Sequence, residues 1–380
     1  MGIRGKDDIS IERVASFVAE NHGLAPYSSF QTVEEVARAS VGIHAARSIS
    51  AFPITSARLS ADIGLDALRA EPSESRLLRI RCMRKTLHIL PFNLARVAHH
   101  ATRRYRLRDC QTQLFRVLSP KKVRPLQDDL LALLWSDWIP ASEIEAWFAG
   151  KGHHPVKTWR LLLKTLWESG EVVCHNASTT WNQERRGYRA AAPYLGETQS
   201  APMSEAEAEQ ALIAAYLSAY APATAKDISW WSGLSVGRIM RALSATPEVL
   251  SRSVDWCQSP LYMYQWQLER LIHSRPEYPQ WLRLVGHEDV GFKAYHESRN
   301  RYVDRNRYDT LFNSIGEALP AVIVNGRAVG LWRWTNQGIE TSLFDHSHAP
   351  SNWTQLLKAE TLRLNRELMS WSPRTTRSQS

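Results

Sequence analysis

Apolar positions recur at helical spacing over Ile9–Glu20 and again over Thr32–Ile49, so the chain opens on two predicted helices. Ser73–Ser75 marks a break. The run Leu77–Leu90 (LLRIRCMRKTLHIL) then alternates and is rich in β-formers, which predicts strands, and Pro91–Arg108 returns to a helical pattern. Helices followed by a strand pair is the order of a winged helix. The order repeats. Leu126–Trp135 reads as a helix, and Ser142 can cap a second one running to Phe148, with Glu145 at capping-box spacing. Pro155–Ser169 is a third, opening on Pro and ended by Gly170. Glu171–Cys174 and Gly187–Ala191 predict two strands around a polar, basic tip.

A third copy starts at Met203, with a helix over Ser204–Ala219, Thr224 capping Ala225–Trp231, and Ser235 capping Val236–Leu243. Gly233 occupies the turn of this helix-turn-helix, and Val249–Tyr264 supplies the wing. Leu319–Trp334 differs: two apolar strands flank Asn325–Gly326, a pair suited to the positive φ angles of a tight hairpin. Trp353–Met369 predicts a terminal amphipathic helix, with a polar tail at Ser370–Ser380. The expected fold class is α+β, built of tandem winged-helix modules at 1–120, 121–200 and 201–270. A β-rich region with a terminal helix follows at 271–380.

Composition adds a partner. The 380 residues suffice for two to four units, and the 44% hydrophobic content supports a packed core throughout. The net charge is +9, and between Arg76 and Arg108 there are ten Lys/Arg and no Asp or Glu. Such a local field suits an anionic partner. The basic residues fall where a winged helix would meet phosphates: Lys157, Arg160 and Lys164 on the third helix of the second copy, Arg185, Arg186 and Arg189 in its wing, Arg238 and Arg241 on the third copy's recognition helix. A solvated basic face is the bland alternative, and co-location on the two expected elements argues against it. Double-stranded DNA is the expected partner.

Other chemistry is weaker. Cys82, Cys110, Cys174 and Cys257 are far apart, which suggests reduced thiols rather than a disulfide framework or a zinc knuckle. Gly233–Gly237 spells GxSxG, but a helix precedes it where a nucleophile elbow needs a strand. His99–His100, His153–His154 and His346/His348 lack the companions that complete a metal site, so no metal or cofactor is expected. The N-terminus lacks an apolar signal segment and no run of about 18 apolar residues occurs, so a cytoplasmic, nucleoid-associated monomer is expected, with no membrane partner.

Three segments together resemble the AlkZ/YcaQ family of winged-helix DNA glycosylases, which excise bulky alkylated bases and unhook DNA crosslinks. Met83–Pro91 (MRKTLHILP) is similar to the family's RGTLHLVP-like strand, and Pro222–Leu243 to its helix-turn-helix. Leu311-Phe312, Gly316, Pro320 and Val322–Arg333 (VIVNGRAVGLWR) are similar to LF…G…P-VLVDGRVVGTWR. The resemblance covers nearly the whole chain. It implies a monofunctional glycosylase that hydrolyses the N-glycosidic bond of bulky or cationic alkylated purines, with a role in self-resistance to DNA-alkylating natural products. Within the basic run, Arg84, Lys85, Arg103, Arg104 and Arg106 are expected to hold backbone phosphates.

The family's Q-x-Q or Q-x-D signature matches Val41–Arg47, in the second helical region, but His44 stands at the first Gln and Ala46 at the second position. Lys85 replaces a usual Gly. His44 is the candidate catalytic residue, with a near-neutral pKa suited to a general base. Ala46 favours the rival reading, an inactive winged-helix protein that binds damaged DNA or acts in transcription.

Overall fold

A computed structural model describes residues 9–60, 63–151, 158–192, 203–274, 280–344 and 351–371. Lys157, His153, His154, His346 and His348 lie outside the described residues, as do the first eight residues and all but the start of the expected tail.

α1 (Ile11–Asn21) starts at Ser10, whose side chain accepts from Arg13 N, and α2 (Val33–Ala39) starts at a Thr32–Glu35 capping box. The single helix expected over Thr32–Ile49 is three pieces. Val41 and Gly42 take positive φ values of 45° and 105°, and the chain turns into β1 (Ile43–His44) before α3 (Ser48–Ser56). A Cβ on Gly42 would lie 3.0 Å from the Leu90 side chain, so Gly allows both the dihedral and the close approach. His44 therefore sits on a strand.

The short α4 (Pro72–Ser75) leads into β2 (Leu77–Arg81) and β3 (Leu87–Pro91). Then follow α5 (Phe92–Phe115), α6 (Pro120–Leu133), β4 (Ile139–Pro140), α7 (Ala141–Gly150), α8 (Thr158–Ser169), β5 (Val172–Asn176) and β6 (Arg186–Ala190). Their strands form one antiparallel sheet in the order β1-β3-β2-β5-β6-β4, joined at its middle by Arg79 opposite Cys174. The first two helix-and-strand units thus share a sheet. Pro140, not Ser142, is the N-cap of α7, without a side-chain cap bond, so the expected capping box does not form.

In the third unit, α9 (Glu205–Tyr220) precedes β7 (Ala223–Thr224), α10 (Ala225–Ser232) and α11 (Val236–Ser244). Thr224 and Asp227 form a capping box, and Gly233 closes α10 at φ 78°. β8 (Val249–Val254) and β9 (Cys257–Tyr264) complete a sheet in the order β7-β9-β8.

After α12 (Gln265–His273) comes an antiparallel sheet of β10 (Leu282–Val285), β11 (Ala321–Val324), β12 (Arg327–Thr335) and β13 (Gly338–Leu343). α13 (Val290–Lys293) and α14 (Tyr308–Leu311) lie between its first two strands, and α15 (Trp353–Ser370) packs on β10. The Asn325–Gly326 turn has the expected positive φ angles, 45° and 86°. A Cβ on Gly326 would lie 2.4 Å from the Ala15 carbonyl, so the turn is wedged against α1. No helix among the described residues is long and apolar enough to cross a membrane.

Arg106 corrects the sequence expectation. Its side chain is fully buried on the inner face of α5, in line with Ala98, Thr102 and Cys110, and is ion-paired with Glu168 of α8. Arg81 bonds the other oxygen of the same carboxylate at 2.7 Å. Arg106 cannot reach a phosphate; it holds α5 to α8. Arg106→Met should cost about 3 kcal/mol, the low end for breaking a buried pair, because Glu168 loses its buried partner but keeps Arg81. Urea unfolding should show that loss, whereas Arg103→Ala, at an exposed position on the same helix, should leave the midpoint unchanged.

Candidate active site

His44 pairs across the sheet with His88 of β3, and the two rings meet edge to face with centroids 5.4 Å apart. The backbone of Ile43–His44 is held by β3, which fixes where the ring stands. His44 is 2% exposed, and neither ring nitrogen has a hydrogen-bond partner. Burial holds its pKa well below the ordinary value near 6.5, helped by His88, Lys293, His287 and Arg84. The ring is neutral. The near-neutral pKa expected from the sequence is corrected downward, because the imidazole is both desolvated and ringed by positive groups. His88 follows the same logic and drops to about 4, mainly through burial. Its Nδ1 lies 3.3 Å from the Thr86 carbonyl.

The C-terminal half supplies a second wall that the sequence reading missed: His287, Glu288 and Lys293. His287 Nδ1 is 3.4 Å from Ser50 Oγ, and its Nε2 is 3.7 Å from Glu317. Glu317 also takes a bidentate pair from Arg47, at 2.8 and 2.9 Å. Glu288 holds φ 56° and accepts from Ala318 N at 2.7 Å, and its other oxygen takes the Lys293 ammonium. Burial lowers the pKa of Lys293. The sequence carried one signal, a dense titratable run (His287–Asp289) straight after an apolar strand, whereas pairing with residues near 44 is long-range and invisible in it.

The third wall comes from the β2–β3 turn and α10. Arg84 and Lys85 both take left-handed φ angles, 51° and 61°. Arg84 lies 3.7 Å over the Trp230 ring, and Arg299 lies 5.3 Å from the same ring and 4.2 Å over Phe312. Beside His287 opens a cleft of about 830 Å³, walled by Ile49, Leu331 and the tryptophans Trp181, Trp332 and Trp334.

The expected phosphate contacts divide. Lys85, Arg103, Arg104, Arg160, Arg185 and Arg241 are exposed. Lys85 lies 3.0 Å from Asp109, Arg104 3.6 Å from Glu205 and Arg160 3.9 Å from Glu145, which are weak, solvent-screened pairs. Arg84, Arg186, Arg189 and Arg238 are half-buried. Arg186 is held by Glu184 at 2.8 Å, and Arg238 by Glu205 and Glu209, so both are committed inside the fold.

The neutral histidines have a consequence for stability. Burial lowers His22 and His99 to about 3, and His88 to about 4. Unfolded, each takes up a proton near pH 6.5, while the folded chain refuses it until its own lower pKa. Stability is therefore full above pH 6.5 and falls as pH drops from there toward 4, by about 1.4 kcal/mol per pH unit for each such histidine. Urea midpoints at pH 7.5 and pH 5.0 should differ widely, and His22→Gln should flatten the dependence. Equal midpoints at the two pH values would rule out neutral burial.

Comparison with known proteins bears on the family and the fold. The family described as DNA glycosylase AlkZ-like matches residues 38–364. Among solved structures, Streptomyces sahachiroi DNA glycosylase AlkZ superposes with a TM-score of 0.76 at 18% identity, over 95% of this chain and 97% of that one. No curated protein sequence matches.

Proposed function

The chain belongs to the AlkZ-like DNA glycosylase family, and from that premise we propose that it hydrolyses the N-glycosidic bond of bulky or cationic alkylated purines in duplex DNA, with His44 holding the attacking water. One observation carries this reading: His44, which the resemblance sets at the family's first Gln, is a buried, neutral imidazole with both nitrogens unpartnered. A buried polar group without a partner is costly, and at His44 a substrate or its water would supply that partner.

Alkylation at N7 or N3 makes a purine cationic and a good leaving group, and bond breaking then develops oxocarbenium character in the sugar. Little acid chemistry is needed from the protein. A neutral ring nitrogen accepts a hydrogen bond from water and aims its lone pair at C1′. With a depressed pKa, His44 is a weak base, so its contribution is orientation more than proton abstraction. The apolar cleft beside His287 supports a bulky lesion, because it offers aromatic surface at the His287 wall of the site. On this reading the protein acts as a cytoplasmic, nucleoid-associated monomer in repair of, or self-resistance to, DNA-alkylating natural products.

Ala46 favours the second reading, an inactive binder of damaged DNA, since the family's second polar group is missing. Single-turnover base release from a duplex bearing an N7-alkylguanine decides between them. His44→Ala should lower the rate by on the order of 10²-fold while leaving duplex affinity intact. Ala46 is half-buried, and Ala46→Gln should raise the rate. The wild-type rate should stay level from pH 7.5 well into the acid range, since His44 protonates far below 6.5. No release from any adduct leaves the binder; an unchanged His44→Ala rate removes His44 from the mechanism.

DNA contact is proposed at the exposed cations, with Arg185 at the wing the most separable. Arg185→Ala should weaken binding to unrelated duplexes alike and lower the salt slope by about one. Arg186→Ala should do less, its charge being already matched by Glu184. Polarisation titrations across a KCl series measure both. A salt-independent affinity would remove the electrostatic basis of binding.

A further inference from the structure

Resting on the DNA glycosylase reading, we propose that Arg84 and Arg299 form a two-guanidinium clamp for a single backbone phosphate, the one beside the nucleotide whose base leaves at His44. Arg299 was no part of the sequence reading. Arg299 is 9% exposed, and its guanidinium donates through Nε to the Tyr295 carbonyl at 2.9 Å and lies 4.2 Å over Phe312. Its Nη2 is buried without a partner, and so is Nη1 of Arg84. Both guanidiniums lie against one indole, Trp230.

Among the described residues no carboxylate bonds either guanidinium. Glu288, whose charge both feel, spends its oxygens on Lys293 and Ala318 N. Asp227, which faces Arg299, accepts from the backbone N–H groups of His296 and Glu297 at 2.7 and 2.8 Å, and from Ser298 Oγ at 2.6 Å. Two cations, one buried and one half-buried, each with an unmet N–H group, are costly alone, and a phosphate oxygen would meet both needs.

The clamp is also built in advance. Asp227 gathers the turn that leads into Arg299, and the indole face holds Arg84. Arg84 stands in a left-handed conformation that a side chain rarely adopts, a strain found where function requires it. Arg84 lies in the turn that leads into β3, whose His88 pairs with His44, so the clamp adjoins the strand that holds the reacting position.

The test needs no base release, so it is separable from the enzyme reading. Duplexes carrying one tetrahydrofuran abasic nucleotide are prepared with a single neutral methylphosphonate, moved one position at a time through its flanks. In the wild type, neutralising one flanking phosphate should cost roughly 10-fold in affinity, the scale of a charged hydrogen bond. In Arg299→Gln that penalty should vanish, overall affinity should start roughly 10-fold lower, and the salt slope should fall by about one. Arg299→Lys, which keeps the charge but not the fork, should recover only part. If Arg299→Gln does not fold by circular dichroism, Arg84→Gln should erase the same position in the scan.

The clamp is wrong if the positional penalty persists in the folded variants, or if no flanking position stands out in the wild type. A second arm adds inorganic phosphate at constant ionic strength. Competition with the duplex in the wild type but not in Arg299→Gln supports the clamp. Thermal protection by phosphate with DNA affinity untouched by Arg299→Gln would make this a free-anion site and overturn the DNA assignment.

Discussion

The site exists because Arg58 and Asp289 meet. Arg58 follows α3, the helix just after His44, and Asp289 caps α13 in the segment that carries His287, Glu288 and Lys293. Their side chains are 0% and 3% exposed and join through two bonds, 2.8 and 2.7 Å. Arg58 also donates to the Ile54 carbonyl at 2.9 Å, with its Nε left unpartnered, and Asp289 accepts from Gly291 N at 2.9 Å. A buried pair adds little to net stability against apolar residues of the same size, but losing one partner leaves a bare charge. Its effect is therefore registry. Gly286 shows how close the two segments come, since a Cβ there would lie 2.9 Å from Pro53 Cβ and 3.1 Å from Ile54 N.

That dependence explains which parts could be read from the sequence. The Asn325–Gly326 hairpin, the Thr224 cap and the strands around residues 77–91 are local, each written in a few adjacent residues. Gly42 was also a local signal, and reading through it made one helix of three pieces. The basic run from Arg76 to Arg108 misled in a different way. Charge density says nothing about direction, but the 3.6-residue period does. Arg106 lies four residues beyond Thr102 and eight beyond Ala98, on the face that α5 buries. What the sequence withheld was Glu168, the partner that makes burial of that charge tolerable. The resemblance placed His44, but only tertiary contacts reveal His287, Glu288, Lys293 and Arg299 around it.

The sign of the field at His44 then constrains the chemistry. Burial is the main cause of its lowered pKa, and the positive groups around it, Lys293 and Arg84 among them, lower it further; that added field opposes a cationic purine and the oxocarbenium that follows it. By itself this is the wrong environment for the reaction. A clamped phosphate changes it. On the proposed clamp, one backbone anion between Arg84 and Arg299 would offset part of the positive charge that His44 feels, and only with DNA in register. The substrate then supplies two things the protein lacks: an activated leaving group and the anion that makes room for developing positive charge. Without DNA the imidazole stays neutral and the centre stays positive. With an unmodified purine the anion is present, but the leaving group is not. On this account discrimination does not require the protein to recognise the alkyl group itself, and a His-Ala pair can stand where the family uses two polar side chains.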